Sequence, residues 1–174
     1  MLDVAVSYNR HKFLGYEYLT WLWFAIEKDQ DSMRKLDREP LSMQIGNRIV
    51  LENRQKDTVE SITIKGDDAG LEEGILALRK GAFVAELNLS FETGDQEWRF
   101  TIKAESLHIV GLKCPQTGSV NSEEDLEGAV LEKVYLYDKA VRLTDNIFKQ
   151  FLTLRVSGDW DKKVVPLMRQ WIYS

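Results

Sequence analysis

The chain has 174 residues, 44% of them hydrophobic and 29% charged, and a formal net charge of −5, which suits one sizeable core and is short for two. Its single cysteine, Cys114, excludes an internal disulfide framework and zinc sites built on paired thiolates. The longest apolar run, 18–26, falls far below the ~20 residues that span a bilayer, and 1–12 carries Asp3, Arg10, His11 and Lys12 where a signal peptide needs an apolar stretch, so a cytoplasmic protein without a membrane partner is expected.

After the lead at 1–12, residues 13–28 read FLGYEYLTWLWFAIEK. Phe13, Leu14, Tyr18, Leu19, Leu22, Trp23 and Ile26 fall near helical spacing, so the spacing predicts a largely buried helix. Trp21 and Phe24 lie off that stripe. Two large aromatics on a second face point to contact with another domain, a subunit or the last helix. Residues 29–40 are charged and turn-like, a linker or exposed excursion.

Five strands and a helix follow. Met43, Ile45, Asn47, Ile49 and Leu51 alternate with Gln44, Gly46, Arg48, Val50 and Glu52, the period of a half-buried strand, and a second strand is expected over 58–65. Asp67 or Asp68 can cap a short helix over 69–80, which Gly81 ends. Phe83, Ala85, Leu87, Leu89 and Phe91, then the turn Thr93-Gly94-Asp95, then Trp98, Phe100, Ile102 and Ala104 spell an antiparallel hairpin with one wet face. A further strand is expected over 107–113, halted by Pro115.

Ser122, followed by Glu123, Glu124, Asp125 and Glu127, supplies an N-cap and negative charge at the start of a long helix over 122–156. Leu126, Val130, Val134, Tyr137, Val141, Phe148, Phe151 and Leu152 form an apolar stripe along it. Lys139, Arg142, Asn146 and Lys149 occupy another face. A C-terminal helix is expected over 161–174, with a break at Pro166. The expectation is therefore one α+β domain, with a mainly antiparallel sheet of about five strands packed against the long helix and the aromatic N-terminal helix.

No residue pattern calls for catalysis. His11 and His108 are the only histidines, without HxxxH or HxH spacing, and Cys114 lies six residues from His108 along one expected strand, too far for a nucleophile and base pair. Gly66, Gly70, Gly74 and Gly81 lack the spacing of a phosphate loop. Acid pairs at Glu72-Glu73 and Glu123-Glu124 sit at helix starts, where dipole effects account for them. No catalytic residue, metal or cofactor is expected.

Charge is distributed unevenly. Residues 1–65 carry 10 basic and 10 acidic side chains, 66–132 carry 5 and 14, and 133–174 carry 8 and 4. A basic C-terminal region behind an acidic middle gives the field a direction that a polyanion can sense. Arg48, Lys65, Arg99, Lys103 and Lys113 on strands, with Lys133, Lys139, Arg142, Lys149 and Arg155 on the long helix, are expected on one side of the domain. Such cations neutralise phosphates without reading bases.

The runs FLGYEYLTWLW, ITIKG, LEEGILALRKG, FVAELNLSF and EWRFTIKAESLHIVGLK, closed by the long helix, resemble the C-terminal half of the bacterial recombination-associated RdgC family. The positions that carry the likeness are Leu19, Thr20 and Trp23, then Lys65, Glu72, Glu73, Gly81, Val84, Leu87 and Leu89, then Phe100, Ser106 and Leu107. It covers about 13–154 and leaves the family's N-terminal half unmatched. The resemblance implies a cytoplasmic, nucleoid-associated, non-enzymatic protein that binds duplex DNA without sequence preference and restrains a recombinase filament as a two-subunit ring. On that basis Lys139, Arg142 and Lys149, with Arg99, Lys103 and Lys65, are expected to contact DNA in a homo-oligomer. The competing expectation is an interaction module that docks through Trp21 and Phe24.

Overall fold

The alternation over 83–103 becomes the centre of a five-stranded antiparallel sheet in the computed structural model, which describes residues 13–36, 40–55, 58–65 and 68–174. Strands β1 (Ser42–Gln55), β2 (Thr58–Lys65), β3 (Phe83–Thr93), β4 (Gln96–Lys103) and β5 (Ile109–Lys113) lie in the order β2-β1-β3-β4-β5. Gly94, at φ +56°, and Asp95 make the two-residue turn that pairs Thr93 with Gln96. Leu87, Leu89, Phe91, Trp98, Phe100 and Ile102 are buried on the inward face. Glu86, Asn88, Ser90, Arg99, Thr101 and Lys103 alternate onto the other, wetter face.

Three strand expectations change in detail. At the start of β3, Phe83, expected inward, is 47% exposed, and Val84 is buried instead. Ile45 stands opposite Leu89 and Ile49 opposite Leu87, so four steps along β1 answer two along β3. This bulge exposes Asn47, which simple alternation had put among the inward residues. A Cβ on Gly46 would lie 1.9 Å from the Asn88 side-chain oxygen, so a larger residue there would push Asn88 off its bonds to the Phe100 carbonyl and the Thr101 hydroxyl. At the other edge, Leu107 has φ +55° and belongs to the turn, so β5 begins at Ile109 and not at 107.

Helix α1 (Phe13–Lys28) forms where the aromatic spacing predicts, and ten of its residues are buried. It lies so close to the end of β4 that a Cβ on Gly15 would fall 1.8 Å from the Ala104 carbonyl oxygen. The following stretch is more ordered than a linker. A short helix, α2 (Gln30–Arg34), turns Met33 inward to 2% exposure. Helix α3 (Asp68–Arg79) ends at Gly81, whose φ of +89° is the left-handed stop expected there. The lead at 1–12 with His11, and the capping candidate Asp67, lie outside the described residues.

Helix α4 (Glu123–Arg155) starts as predicted, with the Ser122 hydroxyl accepting from the Asp125 backbone N–H at 3.1 Å. The stripe it buries is a different one. Leu136, Ala140, Leu143, Ile147 and Phe151 face the sheet, while Leu126, Val130, Val134, Tyr137 and Val141 are exposed. Of the predicted stripe, only Phe148, Phe151 and Leu152 reach the core. A turn of π-helix (Trp160–Val164) leads into α5 (Val165–Tyr173). Pro166 sits in the first turn of α5, where its missing N–H costs nothing, so it starts this helix and does not break it.

The helices bind one another through aromatic rings. Tyr18 meets Phe148 at 5.1 Å and Phe151 at 5.3 Å, and Phe151 meets Trp160 edge-on at 5.5 Å. Beside them, Glu27 accepts from the indole N–H groups of Trp23 at 2.5 Å and Trp171 at 3.0 Å, tying α1 to α5. Arg79 donates to the Ile172 carbonyl and links α3 to the same helix.

Candidate functional site

Two of the expected DNA-contacting residues share one ridge of α4. Arg142 and Lys149 are seven residues apart, two helical turns, and both side chains are well exposed. Each already has a partner on its own helix. Arg142 meets Asp138 at 2.6 Å and Lys149 meets Asp145 at 2.6 Å, both at i,i+4. The ridge therefore reads Asp, Arg, Asp, Lys, with alternating sign.

Lys139 is placed differently. Its ammonium stands 5.3 Å from the centroid of the Trp98 ring, while the Trp98 indole N–H donates to the Leu136 carbonyl at 3.0 Å. Lys139 thus caps a core ring, a cation–π contact that holds α4 on β4. Arg155, counted with the same cations, bridges α4 to α1 through Glu17 at 2.7 Å and lies 5.4 Å from the Trp160 ring centroid. The Glu17 hydrogen bond stabilises its protonated form and moves its pKa further up.

The strand cations lie elsewhere. Trp98 points inward to α4, so Arg99 and Lys103, which alternate with it along β4, point away from α4. The expectation that strand and helix cations share one side of the domain is therefore corrected: the sheet separates them. On the wetter face Arg99 grips Glu97 with two nitrogens, at 2.7 and 3.0 Å, and this hydrogen bonding holds the Glu97 carboxyl below its usual range. Glu86 takes both Lys103 at 3.4 Å and Arg48 at 3.2 Å. Lys65 is exposed at the end of β2, in register with Arg48.

The aromatic docking surface is also corrected. Trp21 is 3% exposed and packs on Tyr18 and Phe151, while Phe24 is 8% exposed and packs on Trp171 at 5.6 Å. The chain's own α4 and α5 cover most of the second face of α1, and a cleft of about 650 Å³ lined by the edges of Trp21 and Phe24 with Leu154, Leu167 and Trp171 stays open beside it.

What the sequence reading missed is the surface that stays open. None of the first thirteen residues of α4, 123–135, is buried, so about 20 Å of helix runs out with Leu126, Val130, Leu131, Val134 and Tyr135 in solvent. The signal for it was present. The helix carries two apolar stripes, and a sheet can cover only one.

Among the described residues no group of three or more His, Cys, Asp or Glu side chains could hold a metal ion, and no helix is long and apolar enough to cross a membrane. Neither a protein-family model nor a curated protein matches this chain.

Proposed function

We propose that the chain is a non-enzymatic, RdgC-like DNA-binding protein that holds duplex phosphates without reading sequence and so modulates RecA-type recombination at the nucleoid. The observation that carries this reading is the exposed ridge of Arg142 and Lys149, both on the basic, C-terminal side of the chain. Their pairing with Asp138 and Asp145 does not disable them. Exposed i,i+4 pairs are worth about 0.3–0.5 kcal/mol, less than a phosphate contact that releases a condensed counterion. Lys139 contributes field from beside Trp98. Arg99, Lys103 and Lys65 belong to the other side of the sheet and act as a second, weaker contact surface.

The test is fluorescence anisotropy of a labelled duplex across a salt series, with Arg142→Glu plus Lys149→Glu as the control. Loss of two phosphate contacts lowers the slope of log affinity against log salt by about 2, because each contact contributes roughly 0.9. Both side chains are exposed, so the variant keeps its fold. A wild-type chain that ignores DNA at low salt sinks the reading.

A second reading is favoured by the open stripe on α4: an interaction module without DNA binding, whose main docking surface is that helix. An apolar contact of this kind is nearly indifferent to salt, whereas phosphate binding weakens steeply.

A further inference from the structure

The open stripe on α4 stops where the chain begins to cover it. Phe148 continues the stripe and lies under Tyr18 of α1, but Val130, Val134, Tyr137 and Val141 are 53%, 61%, 44% and 54% exposed. These four residues are separated by four, three and four positions. That is the spacing of a heptad seam, and it reads the same in both directions. A second copy of the helix laid antiparallel, with the two-fold axis between Tyr135 and Leu136, sets Val130 against the partner's Val141 and Val134 against the partner's Tyr137.

Charge chooses the same orientation. The two-fold axis exchanges 122–135, which has five acids and one base, with 136–149, which has two acids and three bases. An antiparallel pair lays the acidic half of each helix beside the more basic half of the other. A parallel pair would lay acid on acid, which costs affinity.

We propose that two copies of this chain pair antiparallel through Val130, Val134, Tyr137 and Val141 of the long helix. The contact is isologous and closes on itself, so assembly stops at two. It rests on the helix alone and does not depend on the DNA-binding reading.

The test uses the whole chain, free of DNA, at micromolar concentration. Light scattering after size exclusion should give twice the chain mass of 20.1 kDa, and Val134→Glu plus Tyr137→Glu should return it to the single mass with an unchanged circular dichroism spectrum. Orientation is read by oxidation in a Cys114→Ser background. A mixture of Val130→Cys and Val141→Cys proteins should cross-link, and neither protein alone should, because an antiparallel partner carries its own position 130 about 16 Å away. A wild-type monomer overturns the proposal. So does a dimer that survives the double glutamate variant, or cross-linking of Val130→Cys with itself.

Discussion

The two halves of the long helix have the same backbone and opposite surroundings. In 136–155, Leu136, Ala140, Leu143, Ile147 and Phe151 are buried against the sheet and α1. In 123–135 no side chain is buried, although Leu126, Val130, Leu131 and Val134 are as apolar as their counterparts. Helix propensity, the Ser122 cap and the acidic first turn make the helix run straight through both. What differs is the partner. Tertiary packing holds the second half, while the first half has its local hydrogen bonds, one long bond from the Gly118 N–H to Glu132 at 3.5 Å, and its continuity with the second.

The sharpest way to break that comparison is a matched pair of truncations. Phe151 is fully buried and touches Tyr18, Trp21 and Trp160 rings, so Phe151→Ala removes a ring and leaves a cavity, at a cost of about 3–5 kcal/mol. Val134→Ala loses little that is buried within one chain and should move stability by no more than about 0.5 kcal/mol. Urea unfolding of both variants at a concentration low enough to keep the chain monomeric makes the measurement. Similar losses at the two sites would mean that the first half is packed within the chain after all.

The contrast also explains what could be read from the sequence. The β3–β4 hairpin was legible because nearly every choice in it is local: a period of two from Ala85 onward, a Gly-Asp turn, and a wet face that differs from the dry one. Helix α1, the Ser122 cap and the Gly81 stop were legible for the same reason. The buried side of α4 was not, because Leu126, Val130, Val134, Tyr137 and Val141 make as good a stripe as Leu136, Ala140, Leu143, Ile147 and Phe151. Only the position of Trp98, which donates to the Leu136 carbonyl, decides between them.

The same limit applies to the candidate residues. That Trp21 and Phe24 would be covered depends on Phe151 and Trp171, roughly 130 and 147 positions further along the chain, and no window of local sequence contains both ends of such a contact. The Asp partners of Arg142 and Lys149 were legible at i−4, since that spacing alone brings them together. The separation of helix and strand cations by the sheet needed the topology. Gly46 was the one local hint of the β1 bulge, and an isolated glycine in a strand pattern carries that meaning often enough to be worth reading.

A smaller effect sharpens the comparison from inside the docked half. The Tyr18 hydroxyl is buried against α4 and finds no hydrogen-bond partner among the described residues. Burial penalises its charged form and raises its pKa well above the usual phenol range. The ring contributes packing to Phe148 and Phe151, while the hydroxyl contributes only desolvation. Tyr18→Phe keeps the first and removes the second, so it should stabilise the chain by about 1 kcal/mol, seen as a higher midpoint in urea. A destabilised variant would mean that the hydroxyl has a partner, and that the docked half depends on a polar contact as well as on rings.

The smallest expected effect lies on the ridge that neither half buries. Asp138→Asn plus Asp145→Asn removes two exposed carboxylates from the docked half of α4 and leaves Arg142 and Lys149 without their i,i+4 partners. Each lost pair costs about 0.3–0.5 kcal/mol, so the thermal midpoint should drop slightly. Affinity for duplex DNA should rise several-fold at low salt, because two negative charges leave the surface that meets phosphate and two cations are released to it. The two readouts move in opposite directions only if the ridge meets a polyanion. If the variant lost stability with no change in DNA affinity, Asp138 and Asp145 would serve the helix alone, and the phosphate-binding surface would have to be sought on the far side of the sheet, around Arg99 and Lys103.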